Sequence, residues 1–80
     1  MFREFSMTGV KGYNELSNLQ KSMFDATYKK HLSSMSADKR INYTENNLQK
    51  IEGEISLIMV YFKNGESFIY LQDNKWVKLP

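Results

Sequence analysis

The residues that could carry acid-base chemistry are few and scattered along the chain. His31 is the only histidine among 80 residues, and there is no cysteine, so disulfides and thiolate metal sites are excluded. Catalysis would need a nucleophile, a group that orients it and a pocket that excludes water. No such motif is visible, and Glu45, Glu52 and Glu54 form only a loose acidic group. We therefore expect no catalytic, cofactor-binding or metal-binding residues.

His31 falls within an apolar stripe, between Thr27 and Met35. A lone histidine in such a position is more often a packed, hydrogen-bonded core residue than a metal ligand or a catalytic base. The pattern predicts that His31 is buried. An enzyme would instead require a ligand-sized pocket that contains His31 and a carboxylate.

Two basic pairs, Lys29-Lys30 and Lys39-Arg40, flank the predicted loop between two helices. Together with sheet aromatics they could bind nucleic acid, which is the alternative function we consider. The net charge is only +2, with eleven Lys and Arg dispersed among nine acids, whereas a dedicated nucleic-acid binder carries a denser basic stripe. A solvated surface is the more ordinary interpretation, and a DNA mimic, which would be strongly acidic, is excluded.

The region from Tyr13 to about Met35 shows helical periodicity. One broad face carries Leu16, Leu19, Met23, Phe24, Thr27, Tyr28, His31 and Met35. Two N-terminal caps fit: Asn14, or Ser17 with Gln20 in the capping-box spacing. The earlier start is favoured because it keeps Leu16 on the buried face.

A second helix is predicted to begin after Ser36 or Asp38 and to end at Glu52, before Gly53. Its narrower stripe consists of Ala37, Ile41, Thr44, Leu48 and Ile51. Asparagines are poor helix formers, and three of them fall in this region, so this helix needs packing to hold it.

After Gly53 the apolar period changes to two, which is typical of strands. Asn64-Gly65 predicts a two-residue hairpin turn that pairs Lys63 with Glu66. In this register an aliphatic face, which carries Ile58, Val60, Phe62, Ile69 and Leu71, packs on the helices. A further turn at Asp73-Asn74 returns residues 76–79 as a third strand.

The same register places Met59, Tyr61, Phe68 and Tyr70 together on the opposite face. This aromatic face is the candidate partner-binding site, since Tyr, Phe and Met are enriched at interfaces. Two other interpretations stay open: a small second core covered by residues 1–12, or a platform on which nucleic-acid bases stack.

The predicted architecture is a single α+β domain of two N-terminal helices packed on a three-stranded antiparallel β-meander. Residues 1–12 form an arm or a short strand, with 5–8 as an extra edge strand; 13–52 are helical, and 53–80 form the meander. A chain of this length buries only about 60% of its unfolded surface, so a homodimer is a further expectation.

The longest apolar run covers residues 57–62, far below the ~20 residues of a membrane span, and the first residues lack a signal-peptide core. We expect a cytoplasmic protein with no membrane partner. Residues encoded by AT-rich codons, such as Lys, Asn and Ile, are frequent in this chain. This usage indicates an AT-rich genome and favours a phage or mobile-element origin. The predicted function is non-enzymatic binding or regulation, through a protein partner at the aromatic face or an edge strand.

Overall fold

The computed structural model describes residues 9–80, which form an α+β domain with all strands antiparallel. The elements are α1 (Asn18–Ser33), α2 (Ala37–Arg40), β1 (Leu48–Gly53), β2 (Leu57–Phe62), β3 (Ser67–Leu71) and β4 (Lys75–Lys78), with sheet order β1-β2-β3-β4. Short 3-10 turns cover Tyr13–Glu15, Ile41–Tyr43, Glu45–Asn47 and Gln72–Asn74. The fold class and the meander of β2, β3 and β4 are confirmed, while the predicted strand at 5–8 lies outside the described residues.

Helix α1 begins after Ser17, which forms a complete capping box. The Gln20 backbone N–H donates to Ser17 Oγ at 3.1 Å, and the Ser17 N–H donates to Gln20 Oε1 at 2.8 Å. These two bonds satisfy donors that a helix N-terminus otherwise leaves unpaired. The favoured start at Asn14 is therefore wrong, and Leu19, which is 81% exposed, does not belong to the buried face.

The predicted second helix is reduced to the single turn of α2, and its C-terminal part is strand β1. The pairing of β1 with β2 shifts between Leu48 and Lys50. This bulge turns both Leu48 and Ile51 toward the core, although residues three apart in a regular strand face opposite sides. The bulge thus reproduces the apolar spacing of a helix, and the predicted boundary at residue 53 moves to residue 48.

The β2–β3 hairpin has a three-residue loop instead of the predicted two-residue turn. The Phe62 N–H donates to Glu66 O at 2.9 Å, and the Gly65 N–H donates to Phe62 O at 3.1 Å. Gly65 has φ +91°, which is the left-handed position of a type I turn followed by a bulge. The register consequently pairs Val60 with Phe68, one residue away from the prediction, and each β3 side chain lies on the face opposite to the predicted one.

The core lies between α1 and one side of the sheet, which we call the inner face. From the sheet it contains Ile51, Ile58, Val60, Phe62, Phe68 and Tyr70, and from α1 it contains Phe24, Tyr28 and Leu32. The Phe24 ring stacks on Tyr28 and Tyr70, with centroids 5.4 Å and 5.5 Å away. Stacked and edge-on rings of this kind favour one arrangement of the core.

The segment before α1 runs beside the free edge of β1. The Ile51 N–H donates to Lys11 O at 2.8 Å, and Gly12 follows with φ +91°. A Cβ on Gly12 would lie 1.9 Å from Ile51 O, so this close approach requires glycine. In the described range 9–80, no helix is both long and apolar enough to cross a membrane.

Candidate functional site

The structure divides the predicted partner-binding residues between the two faces of the sheet. Met59 and Tyr61 are partly exposed, whereas Phe68 is 6% exposed and Tyr70 is fully buried in the core. The grouping of all four on one face is therefore wrong. The physical reason is the three-residue loop, which shifts β3 by one residue and turns its aromatic side chains toward α1.

The side of the sheet opposite α1, which we call the outer face, carries a continuous apolar surface. Its members are partly or largely exposed and lie outside the core cluster: Leu57, Met59, Tyr61, Ile69, Leu71 and Val77. Val77 is 52% exposed. Aligned rows across three strands place these side chains side by side. Contiguous apolar patches of this kind mark sites of interaction.

Charged groups border the outer face along β1. Lys50 Nζ lies 3.5 Å from Glu52 Oε2 and 4.7 Å from the centroid of the Tyr61 ring, and Tyr61 Oη donates to Glu52 Oε1 at 3.1 Å. Burial, the bond to Glu52 and the negative charges of Glu52 and Glu54 raise the pKa of Tyr61. The carboxylates of Glu52 and Glu54 therefore place negative charge along the β1 border of the outer face. Lys75, in β4, lies on the opposite border.

His31 is packed in the core, as predicted: it is 2% exposed, and its Nδ1 lies 2.8 Å from Tyr70 Oη. Burial lowers the pKa of His31 to about 4; the positive charge of Lys39 acts in the same direction, and Glu66 opposes it. The imidazole is therefore neutral at neutral pH. With so low a pKa it is a weak base, which disfavours proton transfer.

His31 also lines a cleft of about 240 Å³, the His31 cleft, together with Lys39, Tyr43, Glu66, Trp76 and Lys78. Tyr43 Oη donates to Glu66 Oε1, and Lys78 Nζ donates to Glu66 Oε2 at 3.1 Å. The bond from Tyr43 and the nearby lysines lower the pKa of Glu66. The cleft thus combines an imidazole with an ionised carboxylate that is already held by two donors.

The four residues of the predicted basic patch have different structural roles. Arg40 Nε donates to Leu32 O at 3.0 Å, and its Nη2 donates to Met35 O at 2.9 Å. Leu32 lies in the last turn of α1 and Met35 just after it, so these bonds connect α2 to the C-terminal end of α1. Lys39 lines the His31 cleft, while Lys29 and Lys30 lie in the last turns of α1. The Arg40 guanidinium therefore has a structural role in joining α2 to α1.

The two edges of the sheet offer little for strand addition. Lys11 O already accepts from Ile51 on the β1 side. Strand β4 is only four residues long and carries Lys75 and Lys78, both largely exposed. Short edges with lysines disfavour pairing with another strand. An interaction through the outer face is the better-supported mode.

The His31 cleft could not be predicted from local sequence pattern, because its lining residues come from five separate stretches of the chain. The signal that could have found it is the pairing of Tyr70 with Trp76 across β3 and β4, which places the indole beside His31 at a centroid distance of 4.9 Å. Within residues 9–80, no cluster of three or more His, Asp or Glu side chains could hold a metal ion.

Comparisons with known protein families, with curated proteins and with solved structures return no match. The outer face and the His31 cleft are therefore the two features from which function can be inferred.

Proposed function

We propose that this chain is a small non-enzymatic binding protein that docks a protein partner on the outer face of its sheet. The observation that carries the proposal is the row of aliphatic side chains on the side opposite α1, with charged groups along its borders. An apolar centre with a polar rim is the usual anatomy of a protein interface. The partner we commit to is a second copy of the chain.

The charges on the two borders favour a second copy. Glu54 donates its N–H to Leu57 O at 2.8 Å, so it begins the row that continues through Leu71 to Lys75. A twofold axis parallel to the strands would bring the outer faces of two copies together. Each row of side chains would then pack against the same row of the partner, running in the opposite direction. Glu54 of each copy would then face Lys75 of the other, with the aliphatic residues packed between them.

The size of the surface determines the expected strength of the dimer. Four strands spaced ~4.8 Å apart and about five residues in length give a face of roughly 19 by 17 Å. Two such faces cover roughly 650 Å² in total, which is below the ~1,000 Å² of a stable specific interface and is typical of weak association. We therefore expect a weak dimer whose population depends on protein concentration.

A charge swap tests this arrangement. Sedimentation equilibrium over a wide concentration range should show a monomer–dimer equilibrium. Glu54→Lys and Lys75→Glu should each weaken the dimer, because each places like charges opposite one another, and the double variant should restore it. Lys63→Glu, a charge reversal on the exposed β2–β3 loop, is the matched control and should leave the dimer unchanged.

Two results would overturn the proposal. One is a monomer at every concentration, which would leave the outer face to another occupant such as residues 1–8. The other is a dimer that neither Glu54→Lys nor Lys75→Glu weakens. The nucleic-acid alternative has no comparable support, because Phe68 and Tyr70 are buried and Arg40 is bound to backbone carbonyls.

A further inference from the structure

The buried hydrogen bond between Tyr70 and His31 determines which imidazole nitrogen carries the proton. Tyr70 is fully buried, and among the described residues its hydroxyl is bonded to His31 Nδ1. If Nδ1 carried the proton, the Tyr70 O–H would have no acceptor among the described residues, which costs the desolvation of a buried donor. Tyr70 therefore donates to Nδ1. The proton of the neutral imidazole is consequently on Nε2.

This Nε2–H is an unused donor directed to the His31 cleft. In the described part of the chain no group accepts a hydrogen bond from it, although His31 is 98% buried. Every fully buried side-chain nitrogen or oxygen of the described residues does have a partner. Nε2 is therefore not enclosed by the core but reaches the cleft that His31 lines.

Among residues 9–80, the charged groups that line the cleft include one cation, Lys39, without a counter-ion. Lys78 and Tyr43 already engage Glu66. Lys39 lies close enough to lower the pKa of both His31 and Glu66. With Lys78 and Glu66 paired, the positive charge of Lys39 remains, in the same cleft that His31 lines. Two donors in one cleft, one of them charged, favour a ligand with an anionic acceptor.

Two aromatic rings form part of the remaining wall of the cleft, together with residues 34–36. The Trp76 ring lies 4.9 Å from the His31 ring with a tilt of 31°, and the Phe68 ring lies 4.5 Å from it. Flat walls of this kind select flat ligands. The volume of about 240 Å³ exceeds the ~150 Å³ that holds a benzene molecule and is smaller than a drug-sized pocket of ~300 Å³ or more. It suits a ligand of one ring.

We propose that the His31 cleft binds a small aromatic carboxylate, whose carboxylate accepts hydrogen bonds from His31 Nε2 and Lys39 Nζ while its ring lies against Trp76. This site is separate from the outer face and does not depend on self-association, because Trp76 and His31 belong to the inner side of the sheet.

Trp76 is the single tryptophan of the chain, so its fluorescence reports on the cleft directly. Titration with sodium benzoate should give a saturable change, in the millimolar range expected of a ligand with about nine heavy atoms. Benzyl alcohol has the ring without the charge, and acetate has the charge without the ring. Each should bind at least about tenfold more weakly than benzoate.

Two variants identify the contacts. Lys39→Gln should weaken benzoate binding by about tenfold, as expected for the loss of a charge-assisted hydrogen bond, whereas Lys30→Gln, an equal change of charge on exposed α1 surface, should leave it unchanged. His31→Asn keeps an acceptor for Tyr70 but removes Nε2, and should also weaken binding. Should His31→Asn fail to fold, Lys39→Gln alone decides.

Three outcomes would overturn the proposal: no saturable response to benzoate, equal binding of benzoate and acetate, or equal binding by the original chain and Lys39→Gln. Amide shifts in a heteronuclear NMR titration provide the independent readout. The shifts should concentrate at His31, Lys39 and Trp76, and shifts confined to the outer face would place the ligand elsewhere.

Discussion

The two faces of this sheet are both apolar, yet they differ in what covers them. On the inner face, Phe62 and Phe68 pack edge to face with ring centroids 5.7 Å apart, and each is at most 6% exposed. On the outer face, Tyr61 and Ile69 are only partly buried. Hydrophobicity thus identifies the strands, whereas the hairpin register decides which side chains become core.

The largest expected effect is on the free energy of unfolding, and two neighbouring residues on opposite faces test it. Phe62→Ala should reduce the free energy of unfolding by about 3–5 kcal/mol, because it removes a fully packed ring and leaves a cavity. Tyr61→Ala removes an exposed bond to Glu52 and a contact with Lys50 and should cost about 1 kcal/mol or less. Urea denaturation at low protein concentration, with unfolding followed by circular dichroism, measures both.

The low protein concentration keeps self-association from contributing to the result. Similar losses for Phe62→Ala and Tyr61→Ala would contradict the distinction between the faces, since they would mean that Tyr61 is packed in a core of its own. A small loss for both would show that the inner face is loosely packed.

The buried histidine makes the inner face sensitive to pH. The pKa of His31 is about 4 in the folded protein and about 6.5 in the unfolded chain. Below pH 6.5 the unfolded chain therefore binds a proton that the folded protein does not. The stabilisation present above that pH is lost as pH falls toward 4, by about 3 kcal/mol in total.

Urea denaturation at several pH values between the two pKa values checks this expectation. His31 is the only histidine, so the stability of His31→Asn should be nearly independent of pH from about 6.5 down to about 5. Below that range Glu66, whose pKa is lowered, adds a loss of its own. An equal slope in the variant would assign the effect to other groups. The outer face carries no histidine, and Tyr61→Ala should leave the slope unchanged.

Much of the fold could be predicted from local pattern. The apolar periods of 3.6 and 2 locate α1 and the three strands of the meander, and the burial of His31 follows from its position in the stripe. The hairpin register could not be predicted in the same way. Asn-Gly suits both a two-residue turn and a type I turn followed by a bulge, and β3 is apolar on both sides, so either register buries an apolar face.

Strand β1 and the His31 cleft also could not be predicted from local sequence pattern. The bulge after Leu48 gives Leu48 and Ile51 a spacing that local pattern assigns to a helix. The His31 cleft depends on Tyr43 and Glu66, which are 23 residues apart and meet through a hydrogen bond. Contacts of that kind follow from the packing of α1 on the sheet, which no local spacing reveals.

The smallest expected effect concerns the loop that determines the two faces. Gly65 has φ +91°, and no atom of residues 9–80 lies within 4 Å of a Cβ placed on it. Gly65→Ala should therefore cost only the backbone penalty, about 1 kcal/mol. Gly9→Ala, with equally open space and no positive φ, is the matched control and should be neutral or slightly stabilising. Thermal denaturation measures both.

The strand register should persist in Gly65→Ala, because a shifted register would expose Phe68 and Tyr70, whose burial contributes more stability than the turn. NMR contacts between the α-protons of β2 and β3 would reveal a shift in register.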